Sequence, residues 1–254
     1  AGGSPLVISW TLGRVDQLGL SLPQALAHLR DGERSADLYR FLFEGLAQEL
    51  SADDSRTLVT LATFYAPASR AALCDVTGLT ERTCGFALER LISRSLVNDL
   101  ENETYALHPI TRSYVRATLE QPADASGNVR LDPAALRRAL RYWVDFAKQY
   151  GAKNHETYDR LEATWISLET AARDLHALAL DGAALRDREA AAMLNELVRA
   201  LRDFTNTRGL WDERIDLNGL AYAAMICIQN WRAAGWRAYD QAFTYHHRGE
   251  TEQG

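Results

Sequence analysis

The chain has 254 residues, 47% of them hydrophobic, and a net charge of −6, enough material for one large globular domain or two to three small ones. It contains no run of about 18 apolar residues, which excludes a membrane-spanning helix. The start "AGGSPLVISWTLGR" lacks the basic opening of an export signal, so a cytoplasmic protein is expected.

Charge and reactive residues exclude further classes. Residues 1–47 carry 4 basic and 5 acidic groups, and residues 48–122 carry 7 and 10. No segment has the basic footprint of a nucleic-acid binder, so nucleic acid is not an expected partner. Cys74, Cys84 and Cys227 show no two-residue spacing, and the histidines show no zinc-protease spacing, so no bound metal is expected and the thiols read as reduced and buried.

In chain order, "GGSPLVISWTLGRV" places two glycines before Pro5, a residue suited to a helix first turn, with Leu6, Val7, Trp10 and Val15 apolar behind it. This is a helix start; it is also a helix N-terminus of the kind that receives a nucleotide, because its free N–H groups favour anions. In "SADLYRFLFEGLAQEL" Tyr39, Leu42, Phe43, Leu46 and Leu50 form one apolar helix face. Ser51, with Asp54 three positions on, predicts a capping box opening a helix through "RTLVTLATFYA".

Two short helical patterns follow, "ASRAALCDVTGL" ending near Gly78 and "TERTCGFALERLISRSL" capped by Thr80, with Phe86, Leu88, Leu91 and Ile92 expected in the core. Leu96-Val97, a polar turn "NDLENE" and a second extended run "TYAL" come next. Helix, tight turn, helix and hairpin in this order predict a winged-helix domain. His108 then stands between "TYAL" and a helix opened by Pro109. Its imidazole has two readings at this point: a cap for free helix N–H groups, or a hydrogen-bond donor to a phosphate oxygen.

"EQPADASGNVRLDP" has no apolar period and reads as a linker. Beyond it everything is helical: "PAALRRALRYWVDFAKQYG" ending on Gly151, then a stripe of Tyr158, Leu161, Trp165, Leu168, Ala172 and Leu175. "REAAAMLNELVRALRDFTNTRG", "LWDERIDLNGLAYAAMICIQNWRAAG" and "WRAYDQAFTYHHRGE" complete the series. Arg-Gly recurs at Gly209 and Gly249, 40 residues apart, a spacing suited to tetratricopeptide-like helix pairs. The repeat stops as it becomes readable, as expected of a piece of a longer protein.

No GxxxxGK followed by Ser or Thr, GxGxxG, GxSxG or HExxH motif occurs, so no catalytic residues are assigned. On the third winged-helix element, Arg82, Arg90 and Arg94 are offset by Glu81 and Glu89 within a segment of net charge −3, a weak surface for duplex DNA.

Together these motifs resemble part of a nucleotide-switch ATPase of the STAND class, NB-ARC type. "GGSPLVISW" resembles the family's GxP box, with Gly3, Ser4 and Pro5 in the motif positions, and "ALHPITRSYV" resembles its MHD motif, with Leu107, His108 and Pro109 in the three places. Pro109 departs from the family's Asp, so nothing is carried over at that position. The resemblance implies a mainly α fold: a helical subdomain over 1–47, a winged helix with a small β-hairpin over 48–120, a linker over 121–131, and a tetratricopeptide-like helical repeat region over 132–254. It implies that Pro5 packs against the adenine of ADP or ATP and that His108 contacts the β-phosphate of ADP in the resting state. The phosphate loop and Mg²⁺-binding acids of the family lie upstream of the GxP box, so this chain is not expected to hydrolyse ATP. The implied partners are an upstream nucleotide-binding domain of the same parent chain, a protein or small ligand on the repeats, and further copies in an active homo-oligomer.

Overall fold

The computed structural model describes residues 50–120, 133–151, 155–180 and 187–250. The expectations for the subdomain over 1–47, Pro5 included, and for the linker over 121–131 lie outside the described residues. The described residues are mainly α-helical with one small three-stranded sheet, the expected fold class. The chain divides into two compact units, Ala1–Leu136 and Arg137–Gly254.

In the first unit, helix α1 (Ala52–Ala62) opens on the expected capping box: the Asp54 N–H donates to Ser51 Oγ at 3.2 Å and the Ser51 N–H to Asp54 Oδ2 at 3.1 Å. Most of α1 is buried, with Leu58, Val59 and Leu61 fully enclosed. It ends at Ala62, four residues before the end of the expected run, where the Thr63 hydroxyl turns back onto the Thr60 carbonyl. Pro67 has no N–H to offer the Thr63 carbonyl and its ring would strike it, so the helix cannot continue across this segment.

Strand β1 (Ala68–Ser69) follows, then α2 (Arg70–Thr77) and α3 (Glu81–Ser93). Gly78 closes α2 in the left-handed region at φ 67°, and the Thr80 hydroxyl caps α3 by accepting the Thr83 N–H, both as anticipated. Strands β2 (Val97–Leu100) and β3 (Thr104–Leu107) pair antiparallel with Val97 opposite Leu107, and β3 also pairs with β1, giving the order β1-β3-β2. Asn98 to Leu100 therefore belong to a strand rather than to the expected turn; β2 lies at the sheet edge with these three side chains exposed, a position that tolerates polar residues. Helix α4 (Pro109–Glu120) follows β3 directly. This order of elements is the winged-helix arrangement.

One core expectation is corrected here. Leu88 and Leu91 are buried and Ile92 is half-buried, but Phe86 is 46% exposed; the inward face of α3 is Cys84, Ala87, Leu88 and Leu91. Their spacing of 3, 4 and 7 is one helical stripe, and Phe86 falls beside it.

The second unit holds most of α5 (Pro133–Gly151), then α6 (Tyr158–Ala163), α7 (Trp165–Leu180), α8 (Arg188–Arg208), α9 (Trp211–Cys227) and α10 (Trp231–His247). Gly151 permits the end of α5 to touch α8, since a Cβ there would stand 2.2 Å from the Ala200 carbonyl oxygen. The stripe from Tyr158 to Leu175 is buried except for half-buried Trp165, which packs on Phe204. It runs over two helices, because the Thr164 hydroxyl donates to the Arg160 carbonyl at 2.8 Å and the backbone leaves helical geometry there.

The expected helix boundary near Gly235 is also corrected. Gln229 adopts φ 60° and the Asn230 side chain accepts the Ala233 N–H at 3.2 Å, so α10 begins at Trp231 and Gly235 lies within it. The Arg-Gly echo has a structural counterpart. Gly209 and Gly249 both turn at positive φ after a helix; Arg208 pairs back to Asp159 and Glu162, and Arg248 pairs back to Asp212. Consecutive helices α7 to α10 pack on one another as hairpins.

Candidate functional site

His108 stands where β3 hands the chain to α4. Tyr105 and Leu107 are buried on β3, which aligns the strand, and Pro109 supplies the fixed φ of a first helical turn. The His108 carbonyl accepts the Arg112 N–H at 3.0 Å, and its half-buried imidazole accepts the Ile110 N–H through Nδ1 at 3.3 Å. The side chain is thus a helix cap. A ring that accepts through Nδ1 carries its proton on Nε2 when neutral, so the cap occupies one nitrogen and leaves the other a donor. The two readings of His108 use different atoms and do not compete.

The start of α4 is tied to the end of α1. Arg112 donates to the Phe64 carbonyl at 2.7 Å and lies 4.6 Å over the Tyr65 ring; burial pulls its guanidinium below the ordinary arginine range. Any force on His108 therefore acts on a backbone segment anchored to the residues that follow α1.

The α3 arginines are largely committed within the fold. Arg90 grips the buried Asp54 carboxylate through Nη2 at 2.6 Å and Nε at 2.9 Å, with Arg94 3.8 Å away, and Arg82 lies 5.5 Å over the Phe86 ring. Burial raises the Asp54 pKa, but the hydrogen bonds from Arg90, from the Ser51 N–H and from the Ser51 hydroxyl outweigh it and hold the carboxyl below its ordinary 3.8. Cys84 on the same helix is enclosed, and burial beside Cys74 pushes its thiol up to about 12, too high for a nucleophile at neutral pH. No group of three His, Cys, Asp or Glu side chains suited to a metal occurs among the described residues.

A second polar cluster, not anticipated from the sequence, lies among α8, α9 and α10. Arg214 and Arg237 are 2% and 6% exposed, and both face the buried Asp240 carboxylate, at 3.9 and 3.3 Å. The more exposed Arg202 reaches the same carboxylate at 3.3 Å. Arg214 also donates to Asn206 Oδ1 at 2.9 Å, Arg237 to Asn218 Oδ1 at 3.4 Å, and Asn218 in turn to the Arg214 carbonyl at 2.8 Å. Nε of Arg214, Nε of Arg237 and Oδ1 of Asp240 are buried without a hydrogen-bond partner. Burial lowers the pKa of both arginines; Asp240 acts against this, while Arg202 adds to it. The residues are spread over 202–240 with no common motif; the only sequence signal is an arginine at positions 214 and 237 inside otherwise apolar helix faces.

No family model matches the chain, and no curated protein matches it. Among solved structures the chain is similar to a Signal Transduction ATPase with Numerous Domains (STAND) protein with a tetratricopeptide repeat sensor from Pyrococcus horikoshii. The identity is 12% and the TM-score 0.33, over 95% of this chain and 41% of that one, so the chain spans about two fifths of that structure's length. No helix among the described residues is long and apolar enough to cross a membrane.

Proposed function

We propose that this chain is the regulatory and sensing portion of a STAND-type nucleotide switch. The observation that carries the reading is His108 at the β3 to α4 junction of a winged helix, in the motif "ALHPITRSYV", about a hundred residues after "GGSPL". In this reading Pro5 packs on the adenine, and the Nε2–H of His108 donates to the β-phosphate of ADP, closing the winged helix on an upstream nucleotide-binding domain. Exchange for ATP with Mg²⁺ removes that contact and permits oligomerisation. The helical hairpins of the second unit receive the signal, a protein or small ligand. The chain itself performs no hydrolysis. The contact of Arg90 on α3 with Asp54 leaves this helix with fewer free cations for phosphate, which supports the switch reading over that of a winged helix binding duplex DNA.

The test uses two substitutions that separate the cap from the donor. In the parent polypeptide, His108→Ser keeps an acceptor for the Ile110 N–H but cannot reach a phosphate, whereas His108→Ala loses both. Both variants are expected to release ADP faster and to raise basal signalling. Unchanged ADP retention in both sinks the assignment. Calorimetry of the 254-residue chain with ADP should show little binding; micromolar affinity would mean that the nucleotide site lies elsewhere.

A further inference from the structure

We infer that the arginine cluster of α8, α9 and α10 is a receptor for a compact dianion, with a phosphate group as the chemistry that fits it. Arg202, Arg214 and Arg237 converge on the single carboxylate of Asp240, an excess of two positive charges at that contact. Two of these guanidiniums are more than nine-tenths buried and share the single carboxylate of Asp240. Removing guanidinium ions from water is costly unless each is well paired, and apolar side chains of similar size commonly serve stability as well or better. The pairing here is loose. The three contacts to Asp240 measure 3.3 to 3.9 Å, whereas a well-formed guanidinium to carboxylate bond is about 2.8 Å.

The unused donors have the right chemistry. Nε–H of Arg214 and Nε–H of Arg237 are buried and unpaired, and an arginine presents a fixed planar fork that suits a tetrahedral oxyanion. Arg202 reaches Asp240 from an exposed position and marks the solvent-facing side of the cluster, the side on which a ligand would enter. An excess of two charges balances a phosphate monoester near neutrality, which carries about −1.5 to −2. A ligand held here would draw together three helices of the repeat region, so its arrival would stiffen the unit proposed to sense a signal. The cluster is independent of the nucleotide contact proposed for His108.

Calorimetric titration of the 254-residue chain with inorganic phosphate tests this, against sodium chloride of equal ionic strength and against malonate. Phosphate is expected to bind with a Kd below about 1 mM, and malonate at least tenfold more weakly. Arg202→Ala, at an exposed position where the fold should survive, is expected to weaken phosphate at least tenfold while its thermal midpoint without phosphate stays within about 2 °C of the parent. Asp240→Asn removes the internal competitor, and phosphate should raise its thermal midpoint more than it raises that of the parent chain. A phosphate response equal to that of chloride, or one unchanged by Arg202→Ala, overturns the site. Malonate binding as tightly as phosphate overturns the phosphate assignment. ADP binding lost in Arg202→Ala but kept in His108→Ser would place ADP phosphates at this cluster and refute the His108 contact, so the two proposals fail separately.

Discussion

Removing Arg90 should cost more than neutralising its partner, although both changes break the same ion pair. The Asp54 side chain is 2% exposed and the Arg90 side chain 44%. Arg90→Met leaves a carboxylate enclosed with only Ser51 and the more distant Arg94 to answer it. Breaking a fully buried pair in this way costs about 3 to 5 kcal/mol; Arg94 and the partial exposure of the site lower this to about 2 to 3 kcal/mol. Asp54→Asn instead leaves an arginine that can turn to water, and the amide oxygen still accepts the Ser51 N–H, so the loss is the charge-assisted part alone, about 1 kcal/mol. The Asp54 carboxyl sits below its ordinary 3.8 in the fold, so its contribution is complete above that pH and is lost as pH falls through the folded value. The gap between the parent chain and Asp54→Asn should therefore close below about pH 3.8. Native-state amide exchange of α1 and α3 is the suitable assay, because the two units need not unfold together. A larger loss for Asp54→Asn than for Arg90→Met, or a gap unchanged between pH 7 and pH 3, refutes this account of the pair.

Two other substitutions probe the packing. Gly151→Ala puts a Cβ against the backbone oxygen of Ala200, a neighbour that cannot rotate away, and should destabilise the second unit by about 1 to 3 kcal/mol or more; a neutral thermal midpoint would disprove the close approach of α5 and α8. Phe86→Ser and Leu88→Ala, two positions apart on α3, should differ sharply. The first should lie within about 1 kcal/mol of the parent and the second cost about 2 to 5 kcal/mol in urea unfolding, and equal losses would contradict the burial of this helix.

How far the sequence carried depended on the range of each interaction. The capping box at Ser51 and Asp54, the Thr80 cap, the left-handed turns at Gly78 and Gly209, and the Pro109 helix start were all legible, because each is decided by residues within four positions of one another. Strand β1 was missed: two residues are too few to alternate, and they are extended only because β3 offers them hydrogen bonds. Phe86 reads as inward from sequence because its apolar character is plain while its angle on the helix is not. Sequence alone puts the α9 to α10 boundary at Gly235 whereas Asn230 holds the cap, since a glycine inside a helix and a glycine ending one look alike in sequence.

The candidate sites divide in the same way. His108 was visible because a histidine before a helix-opening proline is a local pattern, and its cap through Nδ1 is a local contact. The chain's sequence by itself therefore determined the locally capped helix ends, at Ser51, Gly78, Thr80, Pro109 and Gly209, the strand that precedes His108, and the absence of common catalytic motifs. Only the tertiary structure decided that Arg90 answers Asp54 across 36 positions, and that Arg202, Arg214 and Arg237 converge on Asp240. Helical periodicity says which residues share a face but not which face of another helix will meet it, and charge pairing follows from that meeting.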